Sequence, residues 1–128
     1  MRKKIGELEY IIGSETITVP LWFEMRGMHR GYINQEYSIK LNVKDKSIMN
    51  TIENQFRKVK KSYYPSVYTT INDYLYWNVY YKIAFVCSEL KEINECYEIL
   101  KNMPLIGIKF NFTKTPDDIR DWIIMERL

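Results

Sequence analysis

The segment Arg26–Tyr32 holds the residue types best suited to acid–base chemistry in this chain. His29 is the only histidine, and Arg26 and Arg30 flank it closely. A histidine can transfer a proton near neutral pH while arginines hold a phosphate, which is the chemistry of a metal-independent ribonuclease. A single loop histidine is more often simply solvated, so we predict no catalytic residue here.

The sequence offers little to a metal ion or cofactor. The two cysteines, Cys87 and Cys96, form no CxxC motif, and one histidine cannot complete a Cys/His quartet. The P-loop, GxGxxG, HExxH and GxSxG motifs are absent. We therefore predict no metal, no cofactor and two reduced thiols in the core.

Composition sets the broad class. The chain has 128 residues, of which 46% are hydrophobic and 15% aromatic, enough for one domain with a core of its own. Its net charge of +3 is too small to identify a nucleic-acid-binding protein. No apolar run approaches the ~20 residues of a membrane-spanning helix, and Glu7 and Glu9 interrupt any signal peptide. We expect a cytoplasmic protein that does not bind membranes.

The spacing of apolar residues predicts the elements that position these side chains. A period of two predicts strands at 7–12, 15–26, 37–43, 66–71, 74–87 and 105–113. A period near 3.6 predicts helices at 45–63, 88–103 and 115–128, with Asp45, Ser88 and Thr115 as N-caps.

The order of these elements predicts an α+β fold. From residue 37 to 113 the order is β-α-β-β-α-β, which favours a ferredoxin-like split antiparallel sheet with both helices on one face. We expect a single domain over 1–128, in which 37–113 is the ferredoxin-like core. The N-terminal β-hairpin and loop (1–36) and the C-terminal helix (114–128) are predicted as additions to it.

The two central strands of that sheet would carry a face rich in tyrosine. Tyr74, Tyr76 and Tyr80 alternate along one strand with Lys82, and Lys40 lies on the neighbouring strand. This face resembles the platform on which RNA-recognition motifs stack single-stranded bases. The strand lacks the glycines of that family's signature, and the first strand offers Lys40 where the family has an aromatic residue.

The tyrosine face has other interpretations. The N-terminal hairpin could cover it through Trp22, or the last helix through Trp122 and Ile123. A second copy of the chain could cover it as well, because exposed aromatic patches often mark interfaces.

A second basic segment lies at the end of the first predicted helix. It consists of Arg57, Lys58, Lys60 and Lys61. These cations could contact phosphates of a nucleic acid. They could equally be a solvated helix end that matches the helix dipole, and we favour that reading.

The leading hypothesis is a non-catalytic interaction protein that docks on another protein or nucleoprotein complex. A small phage or mobile-element inhibitor of a defence nuclease, similar to anti-CRISPR proteins, would be such a protein. The alternative is a single-stranded RNA- or DNA-binding domain, and a metal-independent ribonuclease is the third possibility. The residues expected to contact a partner are Tyr74, Tyr76, Tyr80, Lys82, Lys40, Trp22, Arg26, His29 and Arg30.

Overall fold

The computed structural model describes residues 1–26, 36–74 and 78–127, with the backbone alone at 72–74, 78 and 127. This part of the chain has the expected α+β fold. Its strands are β1 (Arg2–Ile12), β2 (Glu15–Arg26), β3 (Glu36–Val43), β4 (Ser66–Tyr74), β5 (Asn78–Cys87) and β6 (Ile108–Phe112). Its helices are α1 (Lys46–Val59), α2 (Leu90–Asn102) and α3 (Pro116–Arg127). None of the described helices has the length and apolar character needed to cross a membrane.

The strands form one antiparallel sheet in the order β4-β5-β3-β2-β1-β6. This order differs from that of a simple split β-α-β-β-α-β sheet, in which the strand at 105–113 would lie beside that at 37–43. The β1–β2 hairpin lies between them and is part of the sheet rather than an addition to it. The alternation of apolar residues shows that a strand has one buried face, but it does not show which strands are neighbours.

The helices cover one face of the sheet. α1 and α2 pack on the strands, and α3 packs beside α2. The helix-facing strand residues include Phe23, Ile39 and Phe85, all fully buried in one core. Phe56 of α1 tilts against Phe85 with ring centroids 4.6 Å apart. Burial of each such side chain contributes roughly 2 to 3 kcal/mol to folding.

Two helix boundaries differ from those predicted: α1 ends earlier and α2 begins later. α1 ends at Val59 rather than near residue 63, because the backbone turns extended at Lys60. α2 begins at Leu90 rather than at Ser88. The backbone N–H groups of Ser88 and Glu89 donate to the carboxylate of Glu92 at 2.8 and 3.3 Å, which satisfies donors at this helix start.

A bulge in β1 determines which face its first residues occupy. Register with β2 shifts between Lys4 and Gly6, so that Lys4 pairs with Trp22 while Gly6 pairs with Leu21. A Cβ at Gly6 would collide with the backbone carbonyl oxygen of Asn111 on β6. The glycine therefore permits the close approach of β1 and β6, and the bulge brings Arg2 and Lys4 to the face without helices.

Candidate functional site

The face of the sheet opposite the described helices is here called the open face. It carries the residues that alternate with the core positions, because successive side chains of a strand point to opposite faces. Across neighbouring strands, Lys40 pairs with Trp22 on one side and with Ala84 on the other. Tyr68 of β4 pairs in turn with Ala84 of β5. We expected a partner to bind on this face.

A cleft of about 340 Å³ opens near the middle of the open face. Four neighbouring strands, β1, β2, β3 and β5, contribute to its wall, so the register of the sheet determines its shape. The lining combines aromatic rings, cations, an amide and a carboxylate, and consists of Arg2, Trp22, Glu24, Lys40, Leu41, Asn42, Tyr80 and Lys82.

An ion pair between Glu24 and Lys40 forms the base of the cleft. The Lys40 ammonium donates to Oε2 of Glu24 at 2.6 Å, and the side chain of Lys40 is only 12% exposed. Arg2 approaches Oε1 of the same carboxylate at 3.8 Å. Burial raises the pKa of the Glu24 carboxyl, but Lys40, Arg2 and Lys82 outweigh it, so this pKa lies below its ordinary value. Glu24 is therefore ionised at neutral pH and holds both cations in place.

The guanidinium of Arg2 stacks on Trp22. Its central carbon lies 4.0 Å from the ring centroid, which is a close cation–π contact. Arg2 is thus held by the indole ring and by the Glu24 carboxylate together. The indole is half-buried and lines the cleft.

Tyr80 and Lys82 form the other side of the cleft, and Lys44 lies beside Tyr80. Lys82 lies two residues from Tyr80 on β5 and is half-buried. The ammonium of Lys44, just beyond β3, lies 5.8 Å from the centroid of the Tyr80 ring. Arg2, Lys40 and Lys82 bring three cations around the Glu24 carboxylate. The local field therefore attracts anions, although the whole chain is only weakly basic.

The groups in and around the cleft offer contacts for binding. In the described part of the chain, no cluster of His, Cys, Asp and Glu is arranged to hold a metal ion. Cys87 and Cys96 are free and buried, and burial raises the pKa of the Cys96 thiol well above its ordinary value. A thiol in that state is a poor nucleophile. The cleft instead offers ring faces for stacking and cations for an anionic group.

The structure brings together four of the nine residues predicted to contact a partner: Trp22, Lys40, Tyr80 and Lys82 all line the cleft. Arg26 is exposed at the end of β2, opposite Glu36, and does not line it. His29, Arg30 and Tyr76 lie outside the described residues, as does the side chain of Tyr74.

The described residues bear on two of the three expected coverings of this face, the N-terminal hairpin and the last helix. Trp22 is a neighbour of Lys40 within the sheet and belongs to the face itself. Ile123 is fully buried in the core that the helices share, and α3 packs beside α2 on the opposite side. Neither the hairpin nor α3 lies over the cleft.

The basic helix end is separate from the cleft and partly occupied by other contacts. The Arg57 guanidinium donates to the Val67 carbonyl at 3.2 Å and pairs with Glu53 at 3.3 Å. The Lys60 ammonium reaches the Tyr63 carbonyl at 3.4 Å. Lys58 and Lys61 are exposed and extend the charge into solvent. These contacts connect the end of α1 to β4 and to the segment before it, and Arg57 and Lys58 lie in the last turn, where cations suit the helix dipole.

Sequence reasoning missed Arg2, Glu24 and Lys44. Glu24 and Trp22 alternate visibly with the core residues of β2, so the face of Glu24 could have been inferred. Its neighbour Lys40 could not, because that contact depends on β2 pairing with β3. Arg2 reaches the same face only through the bulge beside Gly6.

Comparisons with protein-family models, curated proteins and solved structures found no match to this chain.

Proposed function

We propose that the protein is a non-catalytic binding protein whose open face holds single-stranded nucleic acid. One observation carries this proposal. The cleft combines the rings of Trp22 and Tyr80 with several cations around the single Glu24 carboxylate. Single strands are held in this way, with bases stacked on aromatic side chains and phosphates near cations.

The size of the cleft suits a nucleotide unit. Its volume of about 340 Å³ is at the lower end of the range for small-ligand sites, which begins near 300 Å³. A duplex would not present its bases to Trp22 or Tyr80, because stacked bases inside a helix have no free ring faces. The proposal therefore favours single strands over duplexes of the same sequence.

The charged side chains of the cleft contribute modestly to the free energy of binding. Glu24 neutralises Lys40, and Arg2 is held between Glu24 and Trp22. This leaves Lys82 in the cleft and Lys44 beside Tyr80 as the cations available for phosphates. Each phosphate neutralised on a single strand contributes a slope of about −0.7 to log K against log salt. Two to three such contacts predict a slope between about −1.4 and about −2.1.

Fluorescence anisotropy of labelled oligonucleotides over a salt series tests the proposal. Lys82→Gln removes a cation from the cleft, whereas Lys58→Gln removes an exposed one from the end of α1. We expect Lys82→Gln to weaken binding and to reduce the salt slope by about one contact, and Lys58→Gln to do neither. Absence of single-strand binding at low salt would exclude the proposed function. Equal losses in both variants would exclude the cleft as the site.

Docking on another protein is the second candidate, and the composition of the cleft favours it too. Arg, Trp and Tyr dominate the energetics of protein interfaces, and Arg2, Trp22 and Tyr80 meet here. Under this proposal the protein acts as an inhibitor of a nucleoprotein complex such as a defence nuclease. A partner purified from the native host with the wild type, lost in Trp22→Ala, and retained after nuclease treatment would support this role over the first.

A further inference from the structure

The strand β4 forms one edge of the sheet. It is the first strand in the sheet order, and among the described strands it pairs with β5 alone. The register runs from Ser66 opposite Val86 to Tyr74 opposite Asn78. An edge strand of this length presents a row of backbone donors and acceptors on its outer side.

The register shows which backbone groups face outward. Met1 and Met25 exchange two backbone hydrogen bonds, at 3.3 and 3.0 Å. Hydrogen-bonded and non-hydrogen-bonded pairs alternate along antiparallel strands, and each residue directs its N–H and C=O to the same side. Applied in turn to the registers of β2, β3 and β5, this alternation directs the backbone groups of Tyr68 and Thr70 toward β5. The backbone groups of Val67, Thr69 and Ile71 therefore point outward.

A side-chain contact agrees with that assignment. The Val67 carbonyl accepts a hydrogen bond from Arg57 at 3.2 Å, as expected for an outward group at the edge. The Thr69 hydroxyl donates to Glu53 of α1 at 3.1 Å. Within the described part of the chain, the outward N–H and C=O of Thr69 and Ile71 have no backbone partner.

Exposed apolar side chains flank these groups. Ile71 is 62% exposed, Tyr68 54% and Tyr63, just before the strand, 74%. No charged residue or proline occurs from Ser66 to Asn72, although such residues commonly protect edge strands from pairing. The edge is therefore suited to another extended, uncharged, β-branched strand.

We propose that β4 pairs in antiparallel fashion with β4 of a second copy of this chain. A two-fold axis at Thr70 places Thr69 of each copy opposite Ile71 of the other, so that both free residues exchange their backbone hydrogen bonds. An axis at Thr69 would instead use Val67, whose carbonyl Arg57 already occupies. The same uncharged sequence on both sides brings no like charges together within the paired segment. The pairing joins the two open faces into one continuous surface.

Sedimentation velocity over a protein concentration series, with two variants of one residue, tests this pairing. Thr69→Pro removes an outward N–H and leaves the ladder to β5 intact, whereas Thr69→Val keeps the N–H and loses only the hydroxyl. We expect a concentration-dependent dimer for the wild type and Thr69→Val, and a monomer for Thr69→Pro with unchanged circular dichroism. A monomeric wild type at every concentration would overturn the proposal, as would a dimer that Thr69→Pro preserves.

Hydrogen exchange provides a second measurement in the unmodified protein. The amides of Tyr68 and Thr70 point to β5 and should be protected at all concentrations. Those of Thr69 and Ile71 should become protected only as the dimer forms. Protection at Thr69 and Ile71 that does not change with concentration would contradict the pairing, even if a dimer forms through another surface.

Discussion

The ammonium of Lys40 and the carboxylate of Glu24 lie 2.6 Å apart on neighbouring strands of the open face. They are diagonal neighbours, since Lys40 pairs with Trp22 and Glu24 pairs with Ser38. The ion pair thus connects β2 to β3 beyond their backbone ladder. The pair also keeps the Lys40 ammonium largely away from solvent. The other cations therefore determine the charge at the opening of the cleft.

The first prediction concerns pH and the stability that Glu24 provides. Its pKa is lower in the folded protein than its ordinary value of 4.5, because Lys40, Arg2 and Lys82 together outweigh the effect of burial. The stabilisation is therefore complete above that ordinary value and is lost as the pH falls through the folded-state pKa. We expect Glu24→Gln to lower the free energy of unfolding by about 1 kcal/mol at neutral pH. The difference from wild type should disappear in acid.

Urea unfolding between pH 7 and pH 3 measures this effect. Glu15→Gln, which changes an exposed carboxylate at the start of the same strand, is the matched control and should follow the wild type throughout. A difference between Glu24→Gln and wild type that stays constant down to acid pH would show that ionisation of Glu24 is not its source.

The second prediction concerns the contact of Arg2 with Trp22. Arg2→Gln removes the guanidinium that lies 4.0 Å from the ring centroid and also its contact with Glu24. We expect a loss of about 0.5 to 1 kcal/mol in stability and a shift in the fluorescence of the protein. Lys3→Gln is the control, because Lys3 lies near Trp122 on the helix side at 5.9 Å. Weaker oligonucleotide binding by Lys3→Gln than by Arg2→Gln would argue against the open face as the binding surface.

The third prediction concerns the bulge that brings Arg2 to the open face. Gly6→Ala places a Cβ against the Asn111 carbonyl, and backbone on both strands must shift to accommodate it. We expect a loss of about 2 kcal/mol or more in thermal or urea unfolding. Gly107→Ala meets no atom within 4 Å and carries only the strain of a φ of 72°, a cost of about 1 kcal/mol. A Gly6→Ala protein as stable as Gly107→Ala would mean that β1 and β6 can separate at little cost.

The pattern of apolar residues predicted the helices, the strands and their buried faces, because each of these depends on residues that are close in the sequence. The alternation of Phe23 and Met25 with Trp22 and Glu24 gave the faces of β2, and the spacing of Ile48, Ile52 and Phe56 gave the buried side of α1. The strand order depends instead on contacts between distant segments. Nothing in the composition of β1 indicates that it pairs with β6 rather than remaining outside the sheet.

The same distinction applies to the candidate site. Lys40, Tyr80 and Lys82 could be placed on one face from alternation within the predicted core, and together with Trp22 they line one cleft. Their proximity within the cleft required the register of β2, β3 and β5, which alternation leaves open. Arg2 required the bulge as well, and a one-residue shift in β1 reverses the face of every side chain before it.

The indole N–H signal of Trp22 in a two-dimensional NMR spectrum tests the central claim most directly. The chain has three tryptophans, so Trp22→Phe and Trp122→Phe identify the signals of these two residues. The signal of Trp122 on α3 serves as an internal control in the same sample. On titration with a single-stranded oligonucleotide, the Trp22 signal should shift in a saturable manner while the Trp122 signal stays in place. A Trp22 signal that does not move while the oligonucleotide binds would contradict the proposal that the cleft on the open face holds the strand.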